Sequence, residues 1–419
     1  MRRYTSYVIA ALIGTLSPVV SFAEDSETVS SSVPYAANLD LASLTDKVYQ
    51  RLPGLLAEDK YRQLLQANDT YSQALFAEPV TGNLSLFSDE VGTGHGFQEW
   101  EGGVDLPLWL PGQKQQQQAL SDKIAAELPA YQQALKLEAS GEVRQQIWQV
   151  KLAEAQLEQA KLTWENAKKL QNDVESRVKA GDLASTERLL ASSNTLEAHS
   201  KMVNAESQLQ QRLKIYQLIT GENALPQQVE EAVSNTTEDL QQHPQLQLQD
   251  QLIARLQAQM GLAQYDGAVN PSLSVGVRRE RGDRAEDYTN SMGIGFSMAL
   301  DDKAYRQPAI AQASAELADA QVARQSLWRQ LKTRQVALQE ELNSSRQQLD
   351  LITEQNKTTQ QYYQLQKRAF DLGEINLIDL LRSQALANDN ESRKRLLEVQ
   401  IKQQISELNQ SYGMILSNN

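Results

Sequence analysis

The chain has 419 residues, a formal net charge of −13, 41% hydrophobic but only 6% aromatic residues, and no cysteine. The acidic balance disfavours nucleic acid, the lack of thiols excludes a disulfide framework and thiol chemistry, and the scattered His95, His199 and His243 form no metal-ligand cluster. Gln, Ala, Leu and Glu dominate, a composition of long polar helices that meet partners along narrow apolar stripes rather than of a compact enzyme core.

In chain order, residues 1–23 read as a secretory signal: Arg2-Arg3, an apolar Val8 to Val20, and the small-residue site Ser21-Phe22-Ala23. A membrane anchor is the alternative, but the stretch is short for a spanning helix of about 20 residues and Gly14 and Pro18 interrupt it. The mature chain then begins near Glu24, with residues 24–40 as a linker, and no cysteine follows the cleavage site to carry a lipid. No later segment has enough uninterrupted apolar residues for a spanning helix, which excludes a helical inner-membrane protein.

Residues 41–221 form a first unit. A helix is expected from Leu41 to Ala77, with Pro53 near its start, then strands over about 82–88 and 102–109. The stretch between them, Ser88 to Glu101, carries Gly92, Gly94 and Gly96 and reads as a loop. A long helix follows from Gln113 to Lys179. Val143, Val150, Leu157, Trp164 and Val178 fall on a seven-residue row broken only by Gln171, the seam of a coiled coil. Pro129 is placed to kink it. At 1.5 Å per residue the helix spans roughly 100 Å. A return helix runs from Leu183 to Thr220, and residues 222–242, with Pro226 and a Glu-rich run, read as a connector.

Residues 243–413 repeat the plan. A helix runs from His243-Pro244 to about Ala268, and strands from about 272–279 and 290–299 flank the charged loop Arg278 to Asn290. In the last strand Met292, Ile294, Phe296 and Met298 point one way and Gly293, Gly295 and Ser297 the other. Such a strand packs its apolar face on a core in water, or turns it to lipid in a membrane barrel with the polar face lining a lumen. A second long helix, Asp302 to Phe370 with Pro308 near its start, and a return helix, Ile375 to Tyr412, precede the tail 414–419. Each short helix pair stacked end to end about matches one long helix, so each unit tiles as a two-ply rod.

The two units share wording as well as plan. Lys179-Ala180-Gly181-Asp182-Leu183 through Glu187-Arg188-Leu189-Leu190 reappears as Asp371-Leu372-Gly373-Glu374-Ile375 through Asp379-Leu380-Leu381-Arg382. The offset is a constant 192 positions (373 − 181), and it also links Gly221 with Gly413, Leu209 with Ile401 and Leu213 with Ile405. A long period of this kind implies duplication.

On these features the chain, from about Leu41 to Gly413, resembles the TolC-like outer-membrane efflux protein family. The resemblance implies an α+β membrane protein built from two tandem repeats. Three protomers would give four strands each to a trimeric 12-stranded β-barrel that continues into a long periplasmic α-helical barrel. It implies an outer-membrane exit duct of a tripartite efflux system that passively conducts small molecules or metal ions. The partners would be a periplasmic adaptor and an inner-membrane transporter of the resistance-nodulation-division type, with lipid around the barrel and no cofactor or catalytic role. A protein-secretion duct of the same fold and a periplasmic coiled-coil scaffold outside any membrane are the alternatives.

By the same resemblance the two turns form the periplasmic tip, with Gly181, Leu183, Leu189, Gly373, Leu377, Leu380 and Leu381 making adaptor contacts or setting tip geometry. Helix termination and hairpin packing explain the same residues without an adaptor. Glu187 and Asp379 match acidic side chains that narrow the tunnel entrance in some members, where a ring of carboxylates attracts cations. Arg382 stands where some members have a second acid, which weakens any such ring. Phe370 occupies a place where an aromatic can lock the closed state, but Ile375 lacks a lock's charge, so no gate is assigned. The connector would join an equatorial collar. Trp100 and Trp109 suit either an interfacial girdle or packing at the strand–helix junction. No phosphate-cradling loop, nucleophile elbow or paired-carboxylate site is present.

Overall fold

The computed structural model describes residues 33–234 and 240–416. The expected signal segment, residues 24–32 of the linker, 235–239 of the connector and the last three residues lie outside them.

A two-residue strand β1 (Tyr35–Ala36) leads into α1 (Leu41–Tyr49), which is started by a capping box between Asp40 and Ser43. The helix expected as one piece from Leu41 to Ala77 is two, because the chain breaks before α2 (Leu55–Ser72). Pro53 explains the break: it lacks an N–H and turns the preceding residue away from helical geometry. Then come β2 (Thr81–Ser88), β3 (Gln98–Pro107), α3 (Gln113–Ala180) and α4 (Ser185–Thr220). Strand β4 (Leu225–Pro226) in the connector pairs in parallel with β1. The second half holds α5 (Pro244–Ala263), β5 (Ser272–Arg281), β6 (Thr289–Ser297), α6 (Lys303–Asp371) and α7 (Leu377–Ser411).

Helix α3 runs through Pro129 without ending, and α3 and α6 each span roughly 100 Å. The return helices lie along their halves nearer the 181 and 373 turns: Arg212 Nη1 donates to Gln149 Oε1 (2.9 Å) and Thr195 Oγ1 to the Ala167 carbonyl (3.2 Å). Helices α2 and α5 cover the other half of α3, where Gln132 Nε2 reaches Glu58 (2.6 Å) and Arg255 pairs with Glu127 (2.7 Å). Between these ends lies the largest apolar core. Leu44 and Val48 of α1, Val143, Ile147, Val150 and Leu157 of α3, Leu209 and Tyr216 of α4, and Leu225 pack together there. The seven-residue row thus supplies this core through its first three members, while Trp164 is half-buried and stacks on His199 (4.9 Å between ring centroids). A smaller core joins Leu338 and Leu342 of α6 to Leu408 of α7, with Ile401 and Ile405 against it.

The four long strands form one antiparallel sheet in the order β2-β3-β5-β6, with β2 and β6 as its edges. Strand β3 begins four residues earlier than expected and ends at Pro107 rather than 109, and β5 extends to Arg281. The polar residues that resembled loop are paired instead: Glu99 faces Glu280 and Phe87 in register, and the Arg278 guanidinium lies 3.0 Å from Glu99. The diagonal Arg278–Glu99 pair offsets the like charges of Glu99 and Glu280 and supports strand where alternation alone is weak. The hairpin loops shrink accordingly to residues 89–97 and 282–288.

Candidate functional site

Two regions carry the expected function, the sheet at one end and the two helical turns at the other. Reading the register across the sheet gives alternating rows. One face carries Leu84, Val277 and Met292 in one row, Val104, Val275 and Ile294 in the next, and Leu106, Leu273 and Phe296 in the one nearest the helices. The opposite face carries Asn83 with Gly103, Gly276 and Gly293, then Thr81 with Asp105, Ser274 and Gly295. The apolar face is solvent-accessible in the single chain: Leu84 is 78% exposed, and Met292 and Ile294 are each 73% exposed. On the polar face Asn83 Nδ2 donates to Asp105 Oδ2 (3.0 Å) and the Ser274 hydroxyl to Asp105 Oδ1. The outer hairpin loop is organised by Asp89, whose carboxylate accepts the amides of His95 (2.8 Å) and Gly96 (3.0 Å) and the Thr93 hydroxyl (2.9 Å). Burial works to raise the Asp89 carboxyl, but these hydrogen bonds prevail and hold it below its ordinary range.

Trp109 belongs to the strand–helix junction: its Nε1 donates to the Ala74 carbonyl (3.2 Å) and its ring packs on Tyr71. Trp100 lies on the apolar face, 44% exposed, level with Leu86 and one row nearer the loops than Leu84. His95 is an exposed-loop residue held through its backbone.

At the other end, both turns leave their long helix alike. Gly181 has φ +88° and Gly373 φ +76°. The Asp182 amide bonds back to the Arg177 carbonyl (2.9 Å) and the Glu374 amide to that of Ala369 (2.8 Å), the closure of a left-handed C-cap. A Cβ at either glycine meets nothing within 4 Å, so backbone conformation alone calls for glycine there. Helix α7 is capped by Asn376, whose Oδ1 accepts the Asp379 amide (2.9 Å), while Ala184 at the start of α4 offers no side-chain cap.

The structure brings the two turns into one cluster. Leu377 and Leu380 are fully buried with Val174, Ala191 and Phe370, and Leu183, Ile375 and Leu381 pack against them half-buried. Leu189, by contrast, is 65% exposed. Truncating a buried leucine such as Leu377 costs about 2–5 kcal/mol, so Leu377 and Leu380 help hold the two turns together, while Leu189 lies on the surface.

Glu187 and Asp379 both sit in the first turn of their helices, where the helix dipole favours a carboxylate. The Glu187 Oε2 is shielded and has no hydrogen-bond partner among the described residues. Asp379 lies 3.8 Å from Arg382, an exposed pair of little energetic weight.

Reading by periodicity missed Arg177. It reaches from the last turn of α3 to Asp371 of α6 (2.5 Å), holds Asp173 (3.1 Å), and lies over the Phe370 ring (5.1 Å). Burial opposes its charge, but Asp371 and Asp173 outweigh that and keep the guanidinium more firmly protonated than usual. The one available signal was a basic residue four before Gly181 and an acid two before Gly373.

Among the described residues no helix is long and apolar enough to cross a membrane, and no group of His, Asp and Glu side chains is placed to hold a metal. No protein-family model and no curated protein matches the chain. Solved structures do. The Campylobacter jejuni CmeC outer membrane channel is similar at 14% identity over 99% of this chain and 96% of that one, with a TM-score of 0.68. The open state of the Neisseria gonorrhoeae MtrE outer membrane channel matches at 14% identity over 90% and 89%, with a TM-score of 0.67. The outer membrane protein VceC of Vibrio cholerae matches at 11% identity over 89% and 96%, again with a TM-score of 0.67. This chain has the fold of the TolC-like outer-membrane channels.

Proposed function

We propose that the chain is the outer-membrane exit duct of a tripartite efflux system, passively conducting small molecules or metal ions. The observation that carries it is the sheet: a broad apolar face open to the surroundings, a polar and glycine-rich face behind it, and two unpaired edges, joined to helices of roughly 100 Å. A periplasmic scaffold has no use for such a face, and a soluble monomer rarely exposes one. In lipid an open edge leaves backbone groups unsatisfied, so the edges must meet other copies. Three copies close twelve strands into a barrel with its apolar face to lipid and its polar face to a lumen.

The helices then continue the tunnel across the periplasm, with the two turns at its tip. The exposed Leu189 and the glycine turns meet a periplasmic adaptor, and the buried Leu377 and Leu380 hold the turns in place for it. Glu187 and Asp379, in three copies each, bias the entrance toward cations. Energy comes from an inner-membrane partner of the resistance-nodulation-division type. No residue is assigned a catalytic role.

The absence of native cysteine makes closure directly testable. Leu84→Cys on β2 and Met292→Cys on β6, combined in one chain and treated with a homobifunctional thiol reagent, should give a ladder ending at three protomers. The material should come from the detergent-extracted membrane fraction. Recovery in the soluble periplasm, or a product that stays monomeric, would overturn the reading.

A further inference from the structure

Beyond its apolar band, the outward face of the sheet carries a cationic patch that conduction does not use. Val277, Arg279 and Arg281 share one face of β5 by two-residue alternation. Val277 lies in the row of Leu84 and Met292. Arg279 is one row farther from the helices, level with Trp100, and Arg281 one row beyond that, level with Gln98. Each step is about 7 Å along the strand. Tyr288, from the loop between β5 and β6, lies against both arginines. Its ring centroid is 4.4 Å from the Arg279 guanidinium carbon and 4.9 Å from that of Arg281. Its hydroxyl donates to Gln98 Oε1, and Arg281 Nε donates to the Gly96 carbonyl (3.1 Å). Both guanidinium groups therefore lie against one aromatic ring.

Their neighbour shows what is missing. Arg278, on the opposite face, has Glu99 at 3.0 Å and Glu280 at 3.6 Å. Among the described residues no carboxylate forms an ion pair with Arg279 or Arg281. Two of the three loop acids are engaged elsewhere: Glu286 accepts the Gly282 amide (2.9 Å) and Asp283 the Ala285 amide (2.6 Å), while Asp287 forms no ion pair with either arginine. Two neighbouring like charges without a carboxylate favour an anion beside them, and the planar fork of arginine matches the oxygens of a phosphate. With the apolar face in lipid, the interfacial preference of tryptophan puts Trp100, level with Arg279, at the headgroup layer.

We propose that Arg279 and Arg281, seated on Tyr288, bind the phosphate of a lipid headgroup in the outer leaflet. The inference rests on the reading that the apolar sheet face meets lipid. The site anchors the barrel at a fixed depth by a charged contact that the apolar band alone does not supply.

The test uses the purified full chain in nanodiscs of digalactosyldiacylglycerol, a bilayer lipid without phosphate, doped with lipid A or with the same lipid stripped of its phosphates. Retained lipid is counted by native mass spectrometry. Wild type should retain the phosphorylated form, and R279Q/R281Q should hold it about tenfold more weakly, the order expected when charge-assisted contacts are lost. R279K/R281K, which keeps the charge but not the fork, should fall between them, and R278Q, on the lumen face, should match wild type. A heat-labile trimer in each preparation certifies the fold. Equal retention of the dephosphorylated lipid, or undiminished retention by R279Q/R281Q, overturns the site. Displacement by millimolar inorganic phosphate overturns the lipid as its source. A wild-type chain that never enters nanodiscs sinks the channel reading itself, whereas an inserted trimer without phosphate preference sinks only this proposal.

Discussion

Replacing Glu231 with alanine should undock the connector from the helices while the rods stay folded. The Glu231 carboxylate is the hub of a nearly buried network. Arg144 of α3 donates Nε to its Oε1 (3.0 Å) and Nη2 to its Oε2 (2.7 Å), while its Nη1 reaches Gln410 of α7 and the Met414 carbonyl (2.8 Å). Ser406 and Asn409 of α7 donate to the same carboxylate, and Asn409 also binds the connector through the Ala232 carbonyl (2.9 Å) and the Ser234 amide (3.0 Å). Removing one partner of a buried pair strands the other charge and costs about 3–5 kcal/mol. At 1.4 kcal/mol per factor of ten, that predicts amide exchange at least about 100-fold faster where opening requires the network to break. The reporters are the amides of Ser234 and Leu416, the latter bonded to Ser140 Oγ (3.1 Å). The pH profile follows from the same contacts. Burial pushes the Glu231 carboxyl up, but Arg144, then Ser406 and Asn409, outweigh it and hold it below its ordinary range. A carboxylate depressed by folding stabilises above its unfolded value of about 4.3 and loses that stabilisation as pH falls through the lower folded value. Opening free energies in wild type should thus be flat from neutral pH to about 5 and decline only in acid. Exchange at Ser234 and Leu416 within threefold of wild type in the alanine variant would refute the hub.

Two further perturbations test other levels of the molecule. Gly373→Val forces a β-branched residue to φ +76°, where no neighbour obstructs the side chain, so the cost is about 1–2 kcal/mol of backbone strain confined to the turn. Export should fall while the trimer persists, and normal resistance to the exported compound in that variant would count against the tip assignment. His243 caps α5 through Nδ1, which accepts the Gln245 amide (3.3 Å), and burial pushes its pKa down to about 4. The folded state excludes a proton that the unfolded state binds near pH 6.5. Stability is therefore complete above that value and is lost as pH falls toward 4, by about 2 kcal/mol at pH 5. His243→Asn keeps the cap without titrating, so the difference in thermal midpoint between pH 7 and pH 5 should shrink; an unchanged difference would assign that sensitivity elsewhere.

Long regular elements were legible from residues alone because their signals are local. The bounds of α3 and α6 fall within a residue or two of expectation, since a stripe sustained over dozens of residues and a glycine at the end leave little room for another reading. The break before α2 is hard to see locally because a proline is tolerated in the first turn of a helix as well as beyond the end of one. The outer ends of β3 and β5 were hidden because Glu99, Glu101, Arg278 and Glu280 look like loop until register sets them across from one another. Register is a property of two strands, and no single window contains it. The same limit explains Arg177 and Arg144: each meets a carboxylate far along the chain, and periodicity records only which face a residue occupies. At the two turns the resemblance groups Leu189, Leu377 and Leu380 together, and a sequence motif does not separate a surface leucine from two that are fully covered.

The distribution of side-chain volume across the sheet gives an argument for closure that is independent of polarity. Side chains on the inner surface of a curving sheet converge, and those outside diverge. The polar face carries Gly103, Gly276 and Gly293 in one row and Ser274 and Gly295 in the next, while the other face at the same levels carries Val104, Val275, Ile294, Val277 and Met292. On the two inner strands the space on the glycine side is already used: a Cβ on Gly103 would lie 3.0 Å from the Val275 carbonyl oxygen and one on Gly276 3.1 Å from that of Gly102, whereas one on Gly293 of the edge strand would meet nothing within 4 Å. Rows of small residues let a sheet bend toward them, so the proposed closure would put the polar face on the concave side. A soluble sheet covered by a core would bend toward its apolar face instead, with small residues among the hydrophobic ones. The volume asymmetry and the polarity asymmetry therefore select the same surface as the inside, which is the arrangement a water-filled tunnel in lipid requires.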